Sequence, residues 1–220
     1  RSLKFAKAAI CTGGRASVPP TPGLQEVGYL TNETIFSLTD LPPRLAVIGA
    51  GPIGCELAQS FARFGSQVYL IEAQHGIMPN EDRDAAQIVH ESMLRDGVQL
   101  LCCGKDVTVE RTAGGKRLTL DSHGQRYDVT VDEILVGVGR TPNVDGLGLE
   151  AVGVDYDKTG VKVNARLQTA NPRIFAAGDI CSKYKFTHAA DAMAQIVIQN
   201  ALFPHPFGLA YASVDSLIMP

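Results

Sequence analysis

The run Arg44-Leu45-Ala46-Val47-Ile48 passes directly into Gly49-Ala50-Gly51-Pro52-Ile53-Gly54, and this junction constrains the chain more than anything else in it. A short apolar run without polar alternation fits a strand covered on both faces, as in a parallel sheet. Beyond the glycines, Leu57, Ala58, Phe61 and Phe64 recur at helical spacing and Gly65 supplies a stop. Pro52 is tolerated in the first helical turn, where its missing N–H costs no helical hydrogen bond. Gln67-Val68-Tyr69-Leu70-Ile71 then reads as a second strand that ends at Glu72. Strand, glycine turn, helix and strand in this order make a βαβ unit.

The same spacing carries chemistry. Gly49 permits the tight turn, Gly51 leaves room for a pyrophosphate to approach the backbone, and Gly54 lets helix and strand pack closely. Pro52 and Ile53 open the helix, whose first amides and dipole would face the phosphates. Glycines alone also mark ordinary turns; the flanking strand and helix are what make this an expected dinucleotide site. Glu72 lies 23 residues beyond Gly49, where a carboxylate can accept from the adenosine ribose hydroxyls and repel a 2'-phosphate. NAD(H) is therefore expected over NADP(H), although Arg63 or His75 could alter that choice and a solvated strand-end acid would look the same. Glu56, just past the last glycine, is a candidate for the nicotinamide end, against the plainer reading of favourable charge in the first helical turn.

Around this unit the sequence suggests an inner α/β domain over residues 40–143, opening after Leu41-Pro42-Pro43. A helix is expected over residues 81–96, with Ala85, Ile88, Val89 and Met93 or Leu94 inward and Gly97 as its stop. Val98 to Leu101 follows as a third strand. Residues 106–111, 116–121 and 126–130 alternate as a small antiparallel excursion, with Gly114-Gly115 and Ser122-His123-Gly124 as turns. Glu133 to Val138 returns to a strand that Gly139-Arg140-Thr141-Pro142-Asn143 breaks. The flanks, 1–39 and 144–220, are expected to come together as a partial second domain. They offer a short strand within Phe5 to Gly14, a proline-rich connector over Val18 to Gly23, and extended pieces at 160–163 and 174–179. A final helix is expected from about Ala189 to Phe203, with Ala192, Ile196 and Leu202 inward and Pro204 and Pro206 closing it.

Charge and composition remove several classes of function. Twenty Lys and Arg against twenty-three Asp and Glu give a net charge of -3, without the basic excess that nucleic-acid binding requires. No apolar run reaches the roughly 20 residues that span a bilayer, and no long apolar leader is present, so a cytoplasmic location away from membranes is expected. Five cysteines, at 11, 55, 102, 103 and 181, form no regular disulfide framework. Cys102 and Cys103 read as small buried hydrophobes, since a metal role would need further ligands and no Cys-x-x-Cys occurs; no metal site is expected. Cys55 is expected to pack on the sheet, although a helix start can also lower a thiol pKa.

Taken together, Cys11-Thr12-Gly13-Gly14, Gly49 to Gly54, Glu72, Gly139-Arg140-Thr141-Pro142-Asn143 and Ala176-Ala177-Gly178-Asp179 resemble the class I pyridine nucleotide-disulfide oxidoreductases. Pro19 to Leu24, Gly28 to Glu33, Thr141-Pro142-Asn143 and Thr187-His188-Ala189-Ala190 resemble the mercuric reductase-like branch, with dihydrolipoyl dehydrogenase as the neighbouring alternative. The resemblance implies a Rossmann-like FAD/NAD(P)-binding fold with a parallel sheet and a small antiparallel insertion, plus a partial second domain of FAD-binding type. It implies that Gly49, Gly51, Pro52, Ile53, Gly54, Glu56 and Glu72 serve the nicotinamide dinucleotide, with Val107 and Gly139 near it. Thr12 and Gly13 would touch FAD, and Asp179 would accept from a ribityl hydroxyl. Beside the resemblance, His188 reads as support for the flavin end or a cap of the final helix in preference to a proton-transfer base, Arg140 as serving a phosphate or a loop salt bridge, and Lys183 and Lys185 as solvated charges with help to a bound dinucleotide as the alternative. No catalytic residue is assigned. The implied activity is hydride transfer from NADH through FAD to a disulfide or thiol-bound acceptor, in a homodimer joined by a C-terminal domain. That domain, the first flavin-binding glycine motif and the redox cysteine pair are not seen in this chain, which is therefore expected to be inactive alone. A non-catalytic dinucleotide sensor is the alternative of another class.

Overall fold

A computed structural model describes residues 4–203. In chain order the strands and helices are β1 (Ala8–Ile10), β2 (Gly14–Ala16), α1 (Leu24–Val27), β3 (Arg44–Ile48), α2 (Pro52–Phe64), β4 (Gln67–Ile71), α3 (Arg83–Arg95) and β5 (Gln99–Leu101). There follow β6 (Lys105–Thr112), β7 (Gly115–Ser122), β8 (Gln125–Val131), β9 (Glu133–Val136), β10 (Arg140–Pro142), β11 (Tyr156–Asp157), β12 (Gly160–Val161), β13 (Ile174–Ala176) and α4 (Thr187–Leu202). The chain divides into two compact units, one of residues 16–139 and one of 1–15 with 140–220.

The unit of residues 16–139 is built on a four-stranded sheet of order β5-β4-β3-β9, all parallel. Its strands read as unbroken apolar runs because both faces are covered. Leu45, Val47, Val68, Leu70 and Leu135 share one core with Cys55 and Ala58 of α2 and Ala86 and Met93 of α3. Ala46, Ile48, Ile71, Ile134 and Val136 face the other way, onto Val109, Leu118, Leu120 and Val131 of a three-stranded antiparallel sheet, β6-β7-β8. Strand alternation thus sorts one hydrophobic segment into two cores, helices on one side and a β-ribbon on the other. The ribbon shows the half-buried pattern: along β7, Lys116, Leu118, Leu120 and Ser122 are buried and the residues between them are not. Lys116 Nζ is held by Glu133 at 2.6 Å and by the Gly28 carbonyl at 2.9 Å, which makes its burial tolerable.

This unit begins well before the expected residue 40 and ends at Gly139 instead of 143. Residues 16–39 are more than a connector. Leu24 and Val27 are buried in the ribbon-side core and Ile35 in the helix-side core. Leu30 extends the sheet past β9, donating to Ile134 O at 2.7 Å and accepting from Val136 N at 2.8 Å.

The helices fall where the spacing places them, but their buried stripes differ. In α3 the buried residues are Ala86 and Met93, with Val89 packed against the same core; Ile88 and Leu94 are 69% and 50% exposed, and Ala85 is exposed. Phe64 at the end of α2, expected inward, is 68% exposed and meets the edge of the Phe61 ring.

In the other unit β1 pairs in parallel with β13, and β11 forms a hairpin with β12. β2 pairs with β10. Along β13, Ile174 and Ala176 join Leu149, Val154 and Ile180 in one cluster, while Phe175 joins Ala189, Met193 and Ile196 of α4 in another. Leu202, expected inward, is 69% exposed. The closing prolines Pro204 and Pro206 lie outside the described residues.

Candidate functional site

The glycine turn between β3 and α2 is held from three directions. Gly49 N donates to Ile71 O at 2.8 Å, Ala50 N to Glu72 Oε2 at 2.8 Å, and Ala50 O accepts from Met78 N at 2.7 Å. The three glycines meet different surroundings. A Cβ on Gly49, whose φ is +104°, would sit 2.5 Å from Gly137 O, and one on Gly54 would sit 1.9 Å from Gly49 O. A Cβ on Gly51 would meet nothing within 4 Å. Gly49 and Gly54 are therefore fixed by the protein's own backbone, whereas Gly51 faces open space.

That space is a cavity of about 530 Å³ within the unit, and Gly51, Pro52, Ile53, Glu72, Val107 and Gly139 all line it. Six of the nine residues expected near a nicotinamide dinucleotide thus share this wall with Gly49. Gly54 lies beneath the turn, in contact with its carbonyl. Glu56 is exposed on α2 and does not line the cavity. Because α2 starts at Pro52, Glu56 is its fifth residue, past the first turn where a charge is best placed to meet the dipole. Pro19 and Thr21, read from sequence as connector, also line the cavity, as do Gln74 and Met78. Only the proline-rich composition marked the first pair, and nothing local marked the second.

Glu72 is already engaged. Its Oε2 accepts from Ala50 N and its Oε1 from Gln74 N at 2.9 Å, so the carboxylate joins the glycine turn to the loop after β4. A carboxylate oxygen has a second lone pair, which leaves capacity for a ribose hydroxyl. Arg63 is drawn to Asp96, with its Nε 2.9 Å from Oδ2, and His75 stands beside Cys103. Ile53 and Gly54, in the first turn of α2, have amides with no intrahelical acceptor. Open space at Gly51, first-turn amides and an acid at the rim fit a dinucleotide.

Cys55 is buried, its Sγ 3.3 Å from Ala50 O. Burial, followed by the Glu72 and Glu56 carboxylates, pushes its thiol up to about 12. Its place near a helix start therefore does not activate it; desolvation outweighs the dipole.

In the second unit, Thr12 Oγ1 donates to Asn143 O at 3.0 Å, Asn143 Nδ2 donates to Thr12 O at 3.0 Å, and Asn143 N donates to Gly13 O at 3.0 Å. A Cβ on Gly14 would sit 3.4 Å from the Asp179 Cβ, so the end of this segment lies against Asp179. Asp179 Oδ2 accepts from Arg140 Nε at 2.6 Å, and Arg140 also donates to the Gly14 carbonyl. Arg140 is thus in a salt bridge. Lys185 is not simply solvated, because its Nζ donates to Asp179 O at 3.0 Å. Lys183 lies over the Tyr184 ring at 4.7 Å. His188 stacks on Phe186, the residue before α4, with ring centroids 5.4 Å apart, and no side chain caps that helix.

The model of the pyridine nucleotide-disulphide oxidoreductases matches residues 1–195. The chain belongs to this family. It is 36% identical over 212 residues to a mercuric reductase of Staphylococcus aureus, covering 96% of this chain and 38% of that one. It is 39% identical over 162 residues to a dihydrolipoyl dehydrogenase of Bacillus subtilis, covering 73% and 35%. Among solved structures it is similar to the HOCl-induced flavoprotein disulfide reductase RclA of Escherichia coli, at a TM-score of 0.81 and 30% identity over 95% of this chain and 46% of that one. The chain spans less than half the length of each of these relatives. The fold is the α/β flavoprotein disulfide reductase kind, with parallel sheet and antiparallel ribbon, as the resemblance implied.

One grouping lies outside what the family resemblance assigned. Cys102 is 9% exposed, but Cys103 is more open, and the two thiols share their surroundings with His75 and His123. The further ligands that the sequence reading found lacking come from segments remote in the chain. Cys11 is exposed, and burial pushes the Cys181 thiol up to about 12.

Proposed function

We propose that the unit of residues 16–139 binds NADH, and that the protein containing this chain passes reducing equivalents from NADH through FAD to a disulfide or thiol-bound acceptor, in the manner of the mercuric reductases. The observation that carries this reading is Gly51, open on the cavity while its neighbouring glycines are closed by backbone. Hydride transfer is the chemistry that nicotinamide and flavin supply when bound. The chain's own residues bind and orient: the Ile53 and Gly54 amides hold the pyrophosphate, Glu72 the adenosine ribose, and Val107 and Gly139 line the way between. Glu56 is assigned to the nicotinamide end by its place just past the last glycine and by the family resemblance, without support from the cavity lining. In the other unit Thr12, Gly13 and Asp179 are proposed to meet FAD, with Arg140 holding the Asp179 carboxylate in place.

Glu72 supports NADH over NADPH, because a 2'-phosphate would meet its charge. In the whole protein NADH is expected to bind about tenfold more tightly than NADPH, a difference of about 1.4 kcal/mol. Fluorescence titration with both reduced nucleotides checks this, and a clear preference for NADPH overturns it. Dihydrolipoyl dehydrogenase activity is the second reading, supported by the 39% identity to the Bacillus subtilis enzyme. Turnover with a dihydrolipoyl substrate but not with mercuric ion would select it.

The 220-residue chain by itself is proposed to be inactive, since it has no second glycine turn of the Gly49 to Gly54 kind and no spaced cysteine pair. It should purify colourless and fail to oxidise NADH anaerobically with added FAD and a small disulfide. One tightly held flavin per chain, with turnover lost on Gly51→Ala, would sink that proposal. Among the described residues no helix is long and apolar enough to cross a membrane. A cytoplasmic homodimer that binds neither membrane nor nucleic acid is the setting proposed.

A further inference from the structure

Three separate stretches of the unit of residues 16–139 converge on one small volume. His75 comes from the loop after β4, Cys102 and Cys103 from the end of β5, and His123 from the tip of the β7–β8 hairpin. The four donor atoms all lie within 4.8 Å of one another. Cys102 Sγ is 3.2 Å from His123 Nε2, and Cys103 Sγ is 3.7 Å from His75 Nδ1. In a tetrahedral zinc site, with Zn–S near 2.3 Å and Zn–N near 2.0–2.1 Å, sulfur and nitrogen ligands stand about 3.5 Å apart. The two separations lie on either side of that value. With every donor pair within 4.8 Å, the widest has to close by at most about 1 Å to reach bonding distance of a common ion.

Backbone geometry explains how neighbouring cysteines can serve one centre. In a continued strand Cys102 and Cys103 would point to opposite faces. Cys103 instead has φ +56°, a left-handed conformation that costs a non-glycine residue free energy, and this breaks the alternation as β5 ends. His123 has φ +50° and Gly124 φ +78°, the paired left-handed residues of a two-residue hairpin turn between Ser122 and Gln125. The turn lifts the imidazole toward the thiols. Hydrogen bonds set the surrounding backbone: Ser122 Oγ donates to Cys102 O at 2.5 Å, Cys103 N to Gln74 O at 2.9 Å, and Gly104 N to Glu72 O at 2.8 Å. Such outer contacts orient ligands before an ion arrives. The donor set is two sulfurs and two imidazoles, with no carboxylate, which disfavours calcium and magnesium and suits a borderline d10 cation.

We propose that His75, Cys102, Cys103 and His123 form a tetrahedral Cys2His2 site for Zn2+, which fastens the loop after β4 to the end of β5 and the β7–β8 turn. None of the four ligand residues lines the cavity, although their chain neighbours Gln74 and Gly104 do, so the site is distinct from the nucleotide-binding residues. Both histidines are exposed, so the ion enters from solvent without any opening of the core. Binding releases the thiol protons to bulk water and changes no oxidation state.

The test uses the full 220-residue chain, reduced and stripped of metal by a chelator. Titration with Co2+ should give one equivalent bound, with the visible bands of a tetrahedral ion and a near-ultraviolet thiolate-to-cobalt band, all removed by one equivalent of Zn2+. His123→Asn keeps a residue that accepts the left-handed turn, and should weaken Zn2+ binding by at least about tenfold, the lower limit already found for outer-sphere partners. Cys181→Ser should leave it unchanged. A readout without substitution guards against misfolded variants: Zn2+ should protect Cys102 and Cys103 from alkylation, followed by mass spectrometry, while exposed Cys11 continues to react. Absence of the tetrahedral spectrum, unchanged affinity in His123→Asn, or equal alkylation of Cys102 and Cys103 with and without Zn2+ would each overturn the site.

Discussion

Three glycines in one hexapeptide answer to different constraints, and substitution separates them. Gly51 has an ordinary φ of -73°, and a Cβ there meets no protein atom, so Gly51→Ala should leave the urea midpoint unchanged while weakening NADH binding at least about tenfold, or about 1.4 kcal/mol. Gly54→Ala drives a methyl to 1.9 Å from Gly49 O and should cost about 3 kcal/mol, read as a lowered urea midpoint. If both variants lose stability alike, the cavity assignment of Gly51 fails. The sequence spacing pointed to these positions because a glycine turn between strand and helix is a local device. The grip of Glu72 on Ala50 N and Gln74 N was not legible, since it depends on where β4 ends against β3. Nor was the meeting of Cys102 with His123, which rests on how a hairpin folds back over the sheet.

At the level of elements, strands were easier to read than helix faces. The antiparallel ribbon declared itself through Leu118 and Leu120 alternating with polar residues and through its glycine turns, although β7 runs on to Ser122, which the sequence placed in the turn. Helix α3 carries apolar residues at 85, 86, 88, 89, 93 and 94, which make two overlapping stripes. Only packing selects the one through Ala86 and Met93. The sheet edge depends on a further contact that sequence did not mark. Asp132 receives Arg44 Nε at 3.0 Å, Arg44 Nη2 at 2.7 Å and the Arg44 backbone N–H at 2.8 Å, joining the start of β3 to the β8–β9 turn. Those hydrogen bonds hold the Asp132 carboxyl below its usual range. A folded-state pKa below the unfolded one adds stability above the unfolded value, lost as pH falls through the folded value. Asp132→Asn should therefore cost about 1 kcal/mol at neutral pH, the pair being partly solvent-screened. The gap from the parent should close as urea unfolding is repeated below about pH 4, near the unfolded carboxylate value. A gap that persists at low pH would show that the ionised carboxylate is not its source.

Across the whole molecule, the two compact units divide at 15/16 and 139/140, whereas the sequence reading placed its first boundary near residue 40. Proline punctuation at Leu41-Pro42-Pro43 drew the line too late, because the apolar anchors Leu24, Val27 and Ile35 are too widely spaced to form a recognisable periodic element. The entry and exit of the inserted unit meet: Ser17 N donates to Gly139 O at 2.9 Å. For the outer unit this has a kinetic meaning. Its strand β1 must find β13 across the entire insert, a closure that an unfolded loop of that length makes entropically costly. Once the insert has folded, its ends are held together and the effective loop becomes short. Assembly should therefore proceed from the inside outward. Pulse-labelled hydrogen exchange during refolding should protect the amides of β3 and β4 before that of Ala8, which bonds to Arg173 O only after the ends have been brought together.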